Sequence, residues 1–122
     1  MKYLCLIYAD ESVWQSMPQA EVDKMIAEYM AFTEGVKQSG QFAGGNRLHP
    51  VAAATTVRVR DGKLSTTDGP FAETKEQLGG YYLVEARDLN DAIQVAVKIP
   101  GARVGSIEVR PIWESHLSRE GN

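Results

Sequence analysis

The sequence predicts an α+β fold, a ferredoxin-like split β-α-β arrangement carrying one added β-hairpin. Three observations predict it. Apolar residues recur at three- and four-residue spacing in two stretches, 22–36 and 89–97, as on amphipathic helices. Short strand-like runs lie before, between and after those stretches. Residues 55–60 and 63–67 flank an Asp61-Gly62 pair, the strongest short-range hairpin signal. The resulting order is β-α-β-(hairpin)-β-α-β.

The first run, KYLCLIY at 2–8, has apolar side chains on both parities and is bounded by Ala9-Asp10-Glu11. Both faces of this strand are therefore expected to be covered. Pro18 suits a first helical position, and Glu21 suits the positive end of a helix dipole. Val22, Met25, Ile26, Tyr29, Phe32, Thr33 and Val36 then form the apolar stripe, and Gly40 stops the helix. Gly44-Gly45 interrupts a strand at 41–48, which points to a bulge or a close backbone approach.

In the hairpin, Thr56, Arg58 and Arg60 share one face, and Val57 and Val59 share the other. Residues 80–86, GYYLVEA, form the next strand. Asp88 caps a helix through Lys98, with Leu89, Ala92, Ile93, Ala96 and Val97 on its buried face and Pro100-Gly101 ending it. The last strand lies within 104–113. Ile107, Val109, Pro111 and Trp113 share one of its faces, and Glu108 and Arg110 the other.

All 122 residues are expected to form one domain, with a core at about 1–113 and a polar tail at 114–122. Two helices cover only one face of such a sheet. A second copy of the chain is the expected cover for the other face, giving a homodimer of the α+β barrel kind with a shared cavity.

The 13 basic and 16 acidic residues leave a net charge of -3, so nothing attracts a nucleic-acid backbone. No run has the length of a membrane span, and the N-terminus lacks the pattern of a signal peptide. The lone Cys5 sits in an apolar run, as expected of a buried thiol in a reducing cytoplasm. There is no zinc-ligand spacing and no glycine-rich phosphate loop, so neither a metal nor a cofactor is expected.

The segment TTDGPFAETKEQLGGYYLVEA at 66–86 carries the most specific signal. It resembles the signature of the YCII-related family, also called the DGPF-domain family, through Asp68-Gly69-Pro70-Phe71. MKYLCLIYADE at the start resembles that family's first strand, ATTVRVRDGK its hairpin, and IPGARVGSIEVRPI its last helix end and final strand. The resemblance covers nearly the whole chain. It implies a dimeric α+β barrel and names no reaction. In the wider superfamily it points to small isomerases and monooxygenases of compact organic molecules. For some members it also points to a histidine–aspartate pair, or to a regulatory role beside extracytoplasmic-function sigma factors.

Read physically, Pro70 disfavours helix at Gly69, and Asp68 ends a strand in a tight turn. Asp68 is expected either to cap turn amides or to stand as a general base at a cleft mouth. Phe71 is expected to plug the core, Glu73, Lys75 and Glu76 to be solvated, and Gly79-Gly80 to supply special φ. His49, before Pro50 at a strand end, is the second catalytic candidate. His116, the other histidine, aligns with no pair. Glu108 and Arg110, with Arg58, are the candidate ligand contacts on the polar sheet face. The expected function is binding or transformation of a small organic molecule. The alternative is a non-catalytic regulatory or interaction domain.

Overall fold

The computed structural model describes residues 1–114; residues 115–122, which hold His116 and all of the predicted tail but Glu114, lie outside the described residues. The elements are β1 (Lys2–Ala9), α1 (Glu11–Ser16), α2 (Gln19–Gln38), β2 (Phe42–Arg47), β3 (Thr55–Arg60), β4 (Lys63–Asp68), β5 (Gln77–Glu85), α3 (Leu89–Ala96) and β6 (Ser106–Pro111), with short 3₁₀ turns at Val51–Ala53 and Pro100–Arg103. Four strands form an antiparallel sheet in the order β2-β5-β1-β6, and β3 and β4 form a separate two-stranded sheet. The split β-α-β order with an inserted hairpin is the one the sequence predicts.

One face of the four-stranded sheet carries the core. Tyr3, Cys5, Tyr82 and Val84 point to the helices and pack with Phe32 and Val36 of α2 and Ala92, Val95, Ala96 and Ile99 in and after α3. The Phe32 and Tyr82 rings meet edge-to-face with centroids 5.0 Å apart, a favoured geometry for the ring quadrupoles. Cys5 is fully buried there, and burial pushes its thiol up from 9.0 to about 11. On the other face Leu4, Leu6, Tyr81 and Leu83 are only half-buried, so the two parities of β1 are covered unequally.

Local chemistry sets the boundaries. The amides of Gly40 and Gln41 donate to the carbonyls of Lys37 and Val36 (3.1 and 3.0 Å), with Gly40 at φ 77°, so a Schellman motif ends α2. Asp88 accepts from the Asp91 amide and caps α3. Asp61 and Gly62 have φ of 52° and 74°, which gives the two-residue turn its twist.

Several details differ from the sequence reading. Asp10 does not merely end β1. It caps the short α1 by accepting from the Ser12 amide at 2.9 Å. Pro18 precedes α2 rather than opening it, β5 starts at Gln77, and α3 ends at Ala96. Phe71 is 80% exposed rather than a core plug, because the 69–76 segment runs outside the sheet.

Candidate functional site

A cavity of about 470 Å³ opens between the helix layer and the β2 side of the sheet. Two glycines lie along its floor. Gly45 lies opposite Tyr82, and Gly80 opposite Arg47, both on the helix-facing side. A Cβ at Gly45 would meet the Tyr82 ring at 2.9 Å and the Tyr81 carbonyl at 3.0 Å; one at Gly80 would meet the Asn46 carbonyl at 2.9 Å. Bare backbone at these positions lets the neighbouring strand and the Tyr82 ring approach more closely than any side chain would allow. Gly80 is therefore required by close approach and not by the positive φ that the sequence suggested.

The back wall is α2, through Ile26, Tyr29 and Thr33. The Thr33 and Tyr82 hydroxyls share a 2.7 Å hydrogen bond, which fixes that ring. Tyr29 accepts a 3.1 Å bond from the Gly101 amide, so its own proton is free to donate. Burial raises its pKa, against the Gly101 bond and the nearby Arg103 and Arg47 charges, so Tyr29 stays protonated at neutral pH.

The front wall is α1, reached directly from β1. Glu11 stitches it in place: its amide donates to Gln77 Oε1 at 3.0 Å and its Oε2 accepts from the Val51 amide at 2.9 Å. Hydrogen bonds from the Ser12 hydroxyl and amide hold the Asp10 carboxyl below its usual range. At the rim the Arg47 guanidinium lies 5.1 Å over the Trp14 ring, and Lys37 Nζ lies 5.2 Å over the Phe42 ring. The arrangement can enclose a small flat molecule against aromatic walls and meet its polar edge with a phenol and a guanidinium. Among the described residues no group of histidine, cysteine and carboxylate side chains has the geometry of a metal site.

The YCII-related domain matches residues 1–116. This chain belongs to the YCII-related family. It is 38% identical over 114 residues to an uncharacterized protein of Rhizobium meliloti (strain 1021), covering 92% of each chain. Its fold is similar to that of a 5-chloro-2-hydroxyhydroquinone dehydrochlorinase from Burkholderia phenoliruptrix AC1100, solved in complex with 2,5-dihydroxybenzoquinone. That likeness has a TM-score of 0.54 at 14% identity and covers 100% of both chains. The neighbour supports the α+β fold, of the dimeric barrel type.

In this YCII-related protein the residues singled out from sequence are spread over three places, and none of them lines the cavity. Glu108 and Arg110 lie on the opposite sheet face and pair with each other at 2.8 Å. The Tyr8 hydroxyl donates to Glu108 at 3.3 Å; burial, then the Glu108 charge, raises the Tyr8 pKa. Arg58 is exposed on β3, in the separate sheet. His49 is exposed between Leu48 and Pro50, which do line the cavity.

Asp68 is exposed at the end of β4, and its carboxylate makes no hydrogen bond among the described residues. The turn is held instead by the Gly69 amide donating to the Ala54 carbonyl at 2.7 Å and by Thr56 Oγ1 donating to the Gly69 carbonyl at 2.8 Å. Gly69, at φ 102°, makes that geometry accessible. Sequence reasoning missed Trp14, Tyr29 and Arg47. The available signals were Asp10 as a helix cap and Arg47 beyond a glycine pair; Tyr29 was visible only as one member of a core stripe.

Proposed function

We propose that this YCII-related protein binds and transforms a small organic molecule in the cavity beneath α2, working as a cytoplasmic homodimer. The observation that carries the reading is the half-open, aromatic-walled cavity whose lining includes both Tyr29 and Arg47. Its volume falls within the roughly 300–1,000 Å³ typical of small-molecule sites. Tyr29, protonated and held at its oxygen by the Gly101 amide, acts as hydrogen-bond donor and general acid toward a ligand oxygen. The hydroxylated quinone bound by the structural neighbour is a molecule of suitable size and flatness to test.

The half-buried Leu4, Leu6, Tyr81 and Leu83 of the outer sheet face, which a second copy would cover, support the dimer. Light scattering at micromolar concentration should return twice the chain mass, and a monomer mass throughout would contradict this. For the cavity, crystals soaked with hydroxylated quinones should show ligand against Tyr29. Tyr29→Phe should weaken binding, and because it leaves the buried Gly101 amide without its acceptor it should also cost about 1–3 kcal/mol of stability. Ligand density elsewhere, or unchanged affinity in Tyr29→Phe, would overturn the reading.

A second reading places the chemistry on Asp68 and His49, with Arg58, Glu108 and Arg110 as ligand contacts, gathered by a second subunit across the outer sheet face. The Glu108–Arg110–Tyr8 cluster on that face favours it. It predicts that Asp68→Asn abolishes binding while Tyr29→Phe does not. The non-catalytic alternative, an interaction or regulatory domain linked to an extracytoplasmic-function sigma factor, draws on the exposed apolar side of the hairpin. It predicts partner binding that survives both substitutions.

A further inference from the structure

Resting on the cavity reading above, the lining also bears on the charge of what it takes. The cavity borders two carboxylates and two cations, and they differ in how they are engaged. The Asp10 carboxylate accepts from the Ser12 amide and hydroxyl, and Glu11 accepts from the Val51 amide. Both acids serve the local backbone. Arg47 and Lys37 form no ion pair and donate no side-chain hydrogen bond among the described residues. Each lies over an aromatic ring, which attracts a cation without using its N–H donors. The Tyr29 proton also has no acceptor among the described residues, and the Arg47 charge is felt at that hydroxyl. The unmatched donors therefore share one sign, and the walls behind them are aromatic.

We infer that the cavity takes a planar aromatic or enolic molecule bearing an anionic oxygen, with Arg47 stacked on Trp14 as the anion anchor and the Tyr29 hydroxyl as the second donor. The Trp14 ring holds the guanidinium at the rim, and the planar N–H fork suits a carboxylate or an enolate oxygen. Lys37, farther along α2, adds positive field and is the weaker contributor.

The test compares two probes of nearly equal shape, 2-naphthoate and its neutral amide, by calorimetry on the full chain. Binding of the naphthoate about 10- to 100-fold tighter than the amide is expected, as a charge-assisted contact supplies. Arg47→Gln should bring the naphthoate down to the amide and weaken the amide far less. Arg47→Lys should retain part of the preference, because it keeps the charge and loses the fork. Arg47 is exposed, so these variants should melt like the parent. Equal affinity for both probes, or a preference that survives Arg47→Gln, would overturn the inference while leaving the cavity reading intact. Failure of both probes to bind would overturn the two together.

Discussion

The four-stranded sheet and the β3–β4 hairpin are both antiparallel, yet they are held by different forces. On β5, Tyr82 and Val84 are 9% and 0% exposed and pack under the helices. On the hairpin, Val57, Val59 and Leu64 are 60%, 59% and 69% exposed. Burial fixes the register of the first, because a one-residue slip would turn every core side chain to the other face. The hairpin register is fixed by the positive φ of Asp61 and Gly62 and the two-residue loop they make. A substitution in the sheet should therefore be felt globally, and one in the hairpin only locally.

The largest expected effect is at the sheet–helix interface. Ile99 is fully buried, so Ile99→Ala should cost about 2–5 kcal/mol, read by denaturant unfolding. Cys5 sharpens the comparison through pH. The folded chain keeps the thiol proton to a higher pH than the unfolded chain does. Stability from this group is thus complete below pH 9.0 and is lost as the pH rises toward about 11. Melting curves should show a loss of about 3 kcal/mol across that window, and Cys5→Ala should remove that component.

Next is Gly45→Ala, whose new Cβ would press on the Tyr82 ring and the Tyr81 carbonyl. About 1–3 kcal/mol of destabilisation is expected, together with weaker ligand binding because the cavity floor is filled. In the hairpin, Gly62→Ala places a side chain at φ 74° and should cost about 1 kcal/mol. Smallest is Phe71→Ala, at a ring 80% exposed, where the change should stay within about 0.5 kcal/mol. A large loss there would show that a second subunit buries the DGPF segment.

Local signals made most of the fold legible. The stripe from Val22 to Val36, the Asp88 cap, Asp61-Gly62 and the alternation of β6 each report on a few neighbouring residues, and the structure obeys them. The cavity was not legible for the same reason. Trp14, Tyr29 and Arg47 lie on three elements and come to one cavity only after packing, and the glycines beside them mark close backbone approach rather than chemistry. Asp68 and Phe71 drew attention as a motif, but there the backbone of Gly69 and the Thr56 hydroxyl hold the turn, not those two side chains.

The most direct test of the account is an amide chemical-shift map of the full chain titrated with a hydroxylated quinone or naphthoate. Shifts concentrated at Ile7, Tyr29, Arg47, Gly80 and Gly101 are expected, because these residues border the cavity or hold Tyr29. Shifts concentrated instead at His49, Arg58, Asp68, Glu108 and Arg110 would contradict it and move the site to the hairpin and the outer face of the sheet.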